Sequence, residues 1–469
     1  MMGDQPKTNT VPKFAVVGHP NKGKSSLVAT LTQNDSVQIS SVSGTTEVAQ
    51  SFPMRLDGRE CYELIDTPGF QRARALLQQL QSMSVHAGDR KQVLAQFVRQ
   101  PHNPERFHDE LELLKPIVEG AAILYVVDGA TPYRPEYEHE MEILRWSGQP
   151  RMAVINPISG NTYVEQWRQA LDQFFSLVRV FDPMTAGFSD HIELIGSFAL
   201  LDKHWQPSIN AAVQALKQDR AQRVEQAVSL LTTACIDALC HQVSTRIPGE
   251  TIPEAVSQAL EVKLKAAVKT IESSVRKKIE TQLRHHHMVY ESKSLTLEKS
   301  DLFNQEDWVV WGLDKKQLLW LSAGGGAAAG ALLDVGLGGS SLMLGALSGS
   351  IVAAGSSWWF RENLAKIKIG EIIPTGGREV ILGPIKNSQF GWVFLGRGLH
   401  HLNEMVCRNH ARRDEIQMQD WDLKQRMSEL PKTDALKMAS WLQCKGQRTL
   451  MERQQPKINQ LLLKYFVVQ

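Results

Sequence analysis

Along the first two fifths of the chain, apolar residues come in short runs separated by polar stretches of helical spacing. The runs are 14–17, 62–65, 121–127, 152–155 and 192–195, each rich in Val or Ile. Short apolar runs without polar alternation predict strands buried on both faces, as in a parallel sheet with crossover helices. The pattern predicts an α/β domain over residues 13–202, with a mostly parallel sheet and flanking helices, after a flexible start at 1–12.

The texture then changes. Leu260, Leu264, Val268, Ile271, Val275, Ile279 and Leu283 fall at helical spacing with Lys and Arg between them. This predicts a helical region over 203–317 whose charged face is solvated. Histidines 285–287 follow that helix and point in different directions if helical, so they are expected to be solvated, not metal ligands.

Residues 318–360 are almost free of charge, Asp334 excepted, and rich in Gly, Ala and Ser at spacings of three to four. Trp320 lies near one end and Trp358 and Trp359 at the other, with Lys315, Lys316, Arg361, Lys366 and Lys368 as basic flanks. Small residues at that spacing let helices pack closely in lipid, and interfacial Trp with basic flanks fits a hairpin returning to one aqueous side. A full span needs about 20 apolar residues, and the first leg, up to Leu333, is shorter. The favoured expectation is a shallow membrane hairpin; the alternative is a tightly packed Gly/Ala helix pair in a protein core. Over 361–469 the breaks at Pro374, Gly376, Gly377, Gly383 and Pro384 predict a small β element, and helices follow from His400.

Composition narrows the partners. Lys and Arg number 52 against 50 Asp and Glu, which excludes a strongly basic nucleic-acid footprint over the whole chain. Five scattered cysteines without a CxxC pair suit a reducing compartment. No apolar secretory segment appears at the start, and a cytoplasmic location is expected.

The chemistry concentrates at 18–26. The first strand runs into Gly18, His19, Pro20, Asn21, Lys22, Gly23, Lys24 and Ser25, matching GxxxxGK(S/T), and Ser26 continues into a helix. Glycine lets successive backbone N–H groups face one phosphate, and the helix N-terminus adds partial positive charge. Lys24 is placed to reach the β and γ phosphates and the Ser25 hydroxyl to bind Mg²⁺. A second strand ends in Asp66, Thr67, Pro68 and Gly69. The Asp66 carboxylate is expected to hold Mg²⁺ through a water, and the Gly69 N–H to meet the γ phosphate. Between the two motifs, a Thr hydroxyl in Ser43, Gly44, Thr45, Thr46 and Glu47 would complete the metal shell only in the triphosphate state.

The run GHPNKGKSSL, then GTTE, then DTPGF, resembles the Era/EngA/TrmE group of bacterial translation-factor-class GTPases over roughly residues 13–200. The resemblance implies GTP as substrate, Mg²⁺ as cofactor and Thr46 as its second hydroxyl ligand. It implies a K⁺ at Asn21, often across a G-domain dimer, and so assigns Asn21, Lys24 and Thr46 to catalysis. Phe70 follows DTPG where Ras-like enzymes carry a water-positioning Gln, which implies slow hydrolysis. The group's NKxD base-recognition motif aligns with Asn156, Pro157, Ile158 and Ser159, retaining only the Asn, so GTP against ATP stays open. A last base-contacting loop is expected near Gly196, Ser197 and Phe198. The stretch 71–120 is long for the group and reads as an enlarged second switch. Beyond residue 200 the chain is similar to bacterial proteins that join such a G domain to a C-terminal region of unknown function with a Gly-rich apolar stretch.

Two functional readings follow. In the first, nucleotide-dependent switch loops control a C-terminal region that binds membrane lipid or a membrane protein at the cytoplasmic face of the inner membrane. In the second, a soluble GTPase serves ribosome or RNA assembly through the basic helix at 263–284. That reading is the weaker, because no GxxG loop of the KH type follows residue 200. A nucleotide-binding switch with little turnover is a third variant.

Overall fold

The computed structural model describes residues 11–33, 48–56, 58–101, 104–248, 251–285, 302–303, 367–372, 378–385, 388–409, 426, 429–444 and 447–467. Thr46 and the Gly-rich stretch at 318–360 lie outside these described residues. The chain divides into two compact units, the first running to Ala221 and the second starting at Gln222.

The first unit is built on a six-stranded sheet in the order β2-β3-β1-β4-β5-β6. Its strands are β1 (Lys13–Val17), β2 (Gln50–Leu56), β3 (Arg59–Asp66), β4 (Ala122–Asp128), β5 (Arg151–Asn156) and β6 (Val178–Val180). Only the β2/β3 pair is antiparallel. Helix α1 (Lys24–Thr32) crosses from β1. Helices α2 (Ala73–Met83), α3 (Arg90–Arg99) and α4 (His108–Val118) fill the stretch before β4. Then come α5 (Tyr137–Trp146), α6 (Val164–Leu171), α7 (Phe188–Ser197) and the first part of α8 (Gln206–Cys240).

Strand alternation sorts the core into two layers. Ala15, Val17, Ile123, Tyr125, Val127, Ala153 and Ile155 face α2 to α6. Phe14, Val16, Leu64, Leu124, Val126 and Val154 face α1, α7 and the start of α8. Both layers are apolar, which is why these strands read as continuous hydrophobic runs.

One expectation changes here. The run 192–195 is helix, inside α7, with Ile192, Leu194 and Ile195 buried. A short buried apolar run does not by itself distinguish strand from helix. The sheet instead takes its last strand from β6, a three-residue edge.

The second unit contains the rest of α8, β7 (Val243–Ile247), α9 (Glu254–Gln282), β8 (Ile367–Ile372) and β9 (Arg378–Leu382). Helices α10 (Ser388–Cys407), α11 (Lys432–Leu442) and α12 (Arg448–Tyr465) follow. The expected small β element is a three-stranded antiparallel sheet, β7-β9-β8, that recruits β7 from the helical region. Helix α9 buries Leu260, Leu264, Val268, Val275 and Ile279, as its spacing predicts. Its charges are not all solvated. Glu272 pairs with Arg397 of α10 (2.6 Å) and with Arg276 (2.7 Å), and Glu280 lies 3.2 Å from His401. His285, expected in solvent, is buried with its ring Nε2 at 3.0 Å from the Met405 carbonyl.

No helix among the described residues is long and apolar enough to cross a membrane.

Candidate functional site

The site lies at the carboxyl ends of β1, β3, β4 and β5. The chain leaves β1 through Gly18 and enters α1 at Lys24, as the motif spacing requires. Asn21 and Gly23 adopt left-handed backbone, with φ of 60° and 83°. Asn tolerates that region better than most side chains. At Gly23 a Cβ would also lie 2.2 Å from the Asn156 amide nitrogen, so a side chain there would strain the backbone and displace that amide.

Lys24 starts α1 and its ammonium curls back over the loop, donating to the carbonyls of His19 (3.1 Å) and Gly18 (3.4 Å). Burial lowers its pKa, and the Asp66 and Glu140 carboxylates oppose that shift. A desolvated ammonium held by two carbonyls is ready to exchange them for phosphate oxygens. The neighbouring Ser25 hydroxyl donates to Asp66 Oδ2 at 2.7 Å. Parallel pairing of β1 with β3 brings these two motifs together although 41 residues separate them.

The DTPG loop rests on the phosphate loop. The Phe70 N–H donates to the Gly18 carbonyl (3.3 Å), and Thr67 Oγ1 donates to the Val16 carbonyl (2.7 Å). A Cβ on Gly69 would stand 2.6 Å from the Pro20 backbone nitrogen. Phe70 itself is buried in the core layer beneath. Its position therefore carries no side chain able to orient water.

Asn156 ends β5 and donates through Nδ2 to the Lys22 carbonyl at 3.2 Å. This is the retained residue of the base-recognition motif, and it ties that strand to the phosphate loop. Lys22 donates to Thr131 Oγ1 (3.2 Å) and lies 3.4 Å from the Asp128 carboxylate. The structure thus brings Gly18, Asn21, Lys22, Gly23, Lys24, Ser25, Asp66, Gly69 and Asn156 to one place. Ser26 lies half-buried on α1 behind them.

The expected base loop at Gly196, Ser197 and Phe198 is not there. Gly196 and Ser197 close α7, and Phe198 is buried against Phe14 with ring centroids 4.2 Å apart. The segment that follows β6, residues 181–187, occupies the corresponding strand end instead.

Three side chains went unread in the sequence. Glu140 of α5, buried, accepts the Tyr125 hydroxyl (2.9 Å), and His19 Nδ1 lies 3.0 Å from its other oxygen. Burial and this carboxylate hold the Tyr125 pKa far above its usual value, so the hydroxyl stays a donor. Glu110 of α4 accepts backbone N–H groups just beyond Phe70. A carboxylate inside an otherwise apolar helix face is the signal that marks both acids.

Ser25 and Asp66 are hard oxygen donors placed side by side, which fits Mg²⁺. Ser25 and Asp66 would hold such an ion, which would supply positive charge against the phosphates.

Comparison with known proteins agrees with this geometry. Residues 13–157 match the family described as 50S ribosome-binding GTPase, and residues 168–464 match a domain of unknown function, DUF3482. GTPase Der of Mycoplasma pneumoniae is 47% identical over 66 residues, 14% of each chain. GTPase Der of Desulforudis audaxviator is 43% identical over 82 residues, 18% of each chain. The chain thus spans less than one fifth of the length of these curated relatives. Among solved structures, Aquifex aeolicus Era bound to GDP.AlF4- aligns over 58% of this chain and 89% of its own, at 16% identity and a TM-score of 0.28. Era in complex with MgGDPNP and part of 16S ribosomal RNA aligns over 58% and 88%, at 16% identity and a TM-score of 0.30.

Proposed function

The chain belongs to the DUF3482 family and carries a P-loop GTPase domain ahead of that region, and from this we propose a slow GTPase whose switch loops control a membrane-associating C-terminal region. The observation that carries the switch reading is the seating of the 66–70 loop on the phosphate loop through Gly18, Pro20 and Ser25. A metal ion at Ser25 and Asp66 would break the hydrogen bond between them, and a phosphate would compete with the Gly18 carbonyl for the Phe70 N–H. Nucleotide binding therefore moves the loop.

Slow turnover is supported by Phe70, whose buried ring leaves the usual water-positioning place without a polar side chain. Within the proposal, Lys24 holds the β and γ phosphates, and Ser25, Thr46 and, through water, Asp66 hold Mg²⁺. Exposed Asn21 coordinates K⁺, with a second G domain closing the site. Faster hydrolysis in KCl than in NaCl supports the potassium role, and equal rates exclude it.

Membrane association is supported by the sequence of 318–360, with its small-residue spacing, Trp ends and basic flanks. On this reading the protein works at the cytoplasmic face of the inner membrane. Flotation of the full chain with anionic vesicles tests it, comparing GDP with a non-hydrolysable GTP analogue and a version lacking 318–360. Flotation of the intact chain alone, altered by nucleotide, is expected. If both forms stay in the soluble fraction in every nucleotide state, the membrane reading fails.

The second reading, ribosome or RNA binding, draws on the match of 13–157 to the 50S ribosome-binding GTPase family. Nucleotide-dependent co-sedimentation with 50S subunits would favour it.

A further inference from the structure

Beside the phosphate site, a cavity of about 330 Å³ opens at the ends of β5 and β6, with Pro157, Asn161, Phe181, Asp182 and Thr185 among its walls. Register explains its place. Ile155 pairs with Val180, and the Phe181 N–H donates to the Ile155 carbonyl at 3.0 Å. The two chains therefore leave the sheet side by side, with Pro157 next to Asp182. The cavity begins one residue beyond Asn156, which is itself bonded to the phosphate loop. Asn156 Oδ1 is buried and has no hydrogen-bond partner among the described residues. The cavity thus adjoins the strand end that meets the phosphate loop, which makes it the candidate place for the base of a nucleotide held by Lys24.

The polar wall of this cavity is organised by Asp182. Its Oδ1 accepts the Met184 N–H at 2.8 Å and its Oδ2 accepts the Thr185 hydroxyl at 2.7 Å. Those bonds fix the carboxylate, and each oxygen keeps acceptor capacity. Ser159, at the motif position that elsewhere carries the carboxylate, is exposed and offers one rotatable hydroxyl. Asp190 also lines the cavity, but its carboxylate accepts the Gly187 N–H at 2.8 Å and caps its own helix.

We propose that Asp182, from the loop after β6, supplies the carboxylate that reads the base in place of the one absent at position 159, and that the site thereby selects guanine. The inference rests on the nucleotide-binding reading of the phosphate loop. Guanine presents two adjacent donors, N1–H and the 2-amino group, which match two carboxylate oxygens. Adenine presents an acceptor at N1 and no amino group at C2, so it sets a lone pair against the carboxylate and offers it no donor.

The test is competition binding to the full chain with GDP, ADP, inosine diphosphate and xanthosine diphosphate, for wild type, Asp182→Asn and Asp190→Asn. Wild type is expected to favour GDP over ADP by about 100-fold or more and over inosine diphosphate by about 10-fold, as lost charged hydrogen bonds require. Asp182→Asn, nearly isosteric, should lose GDP affinity by about 100-fold and gain xanthosine diphosphate, whose 2-oxo group meets the new amide donor. Asp190→Asn should leave the ranking as it is. Equal wild-type affinity for GDP and inosine diphosphate overturns the proposal without recourse to any variant. So does an unchanged ranking in folded Asp182→Asn, or a shift in Asp190→Asn instead. Absence of binding by every diphosphate in wild type, with no effect of Lys24→Ala, is the separate failure of the nucleotide reading itself.

Discussion

The Glu110 carboxylate, buried on α4, accepts the backbone N–H of Gln71 at 2.9 Å. It also accepts the Arg72 N–H at 2.5 Å, so one side chain holds both residues that follow Phe70. On the same helix, Glu112 lies 3.5 Å from the Ala49 N–H, at the entry to β2. The long stretch before β4 thus reaches both segments that flank the phosphate site. Glu110→Ala is expected to free the 71–72 backbone at a local cost of about 1–3 kcal/mol. Amide hydrogen exchange at Gln71 and Arg72 should quicken by at least ~10-fold, and nucleotide should dissociate faster. Unchanged exchange there would mean that α4 does not restrain the loop.

Gly69 has no room for a side chain because the obstacle is the Pro20 backbone nitrogen at 2.6 Å, which cannot rotate away. Gly69→Ala should displace the loop and break the Phe70 to Gly18 hydrogen bond. Because Lys24 and α1 are untouched, GDP affinity should stay within about threefold, while GTP turnover falls by roughly 10-fold or more through misplacement. Equal loss of GDP binding would show that the loop and the phosphate site are not separable.

Ser25 and Asp66 make the metal dependence testable. Removing the Ser25 hydroxyl takes away one hard oxygen donor and leaves Asp66 without its 2.7 Å partner. Ser25→Ala should lower GTP affinity by about 10–100-fold in Mg²⁺ and make it nearly insensitive to chelation by EDTA. A variant that keeps the wild-type Mg²⁺ response would remove Ser25 from the metal shell.

The parts of this site that were legible in sequence are those set by local backbone need. Glycine spacing, a strand before and a helix after fix the phosphate loop whatever the rest of the chain does, and Asp66 follows because its strand ends beside β1. Long-range geometry was not legible. Strand β2 carries Pro53 and alternates weakly because it is a sheet edge, and β6 is too short to show a period. Asp182 looks like an ordinary turn former until β5 and β6 are in register. On α9, Glu272 and Glu280 sit among exposed Lys residues, and only the arrival of Arg397 and His401 marks them as buried partners.

That buried seam gives the C-terminal unit a pH dependence whose sign can be worked out. His400 on α10 is buried, and desolvation, with His401 and Arg276 nearby, lowers its pKa from 6.5 to about 4. The charged groups that act on it are His401 on its own helix and Arg276 on α9; in the same seam Glu272 pairs with Arg276 and Arg397, and Glu280 lies 3.2 Å from His401. The folded state keeps His400 neutral, while the unfolded chain takes up a proton near pH 6.5. Its contribution is therefore fully present above that value and is lost as pH falls toward 4, amounting to about 2 kcal/mol between pH 7.5 and pH 5. Hydrogen exchange of α10 amides in the full chain, corrected for the intrinsic pH effect, should show this loss of protection. In His400→Gln the opening free energy should be flatter across the same window by about that amount, because no proton can bind there in either state. If wild type and variant lose protection in parallel, the pH dependence of this seam does not come from His400.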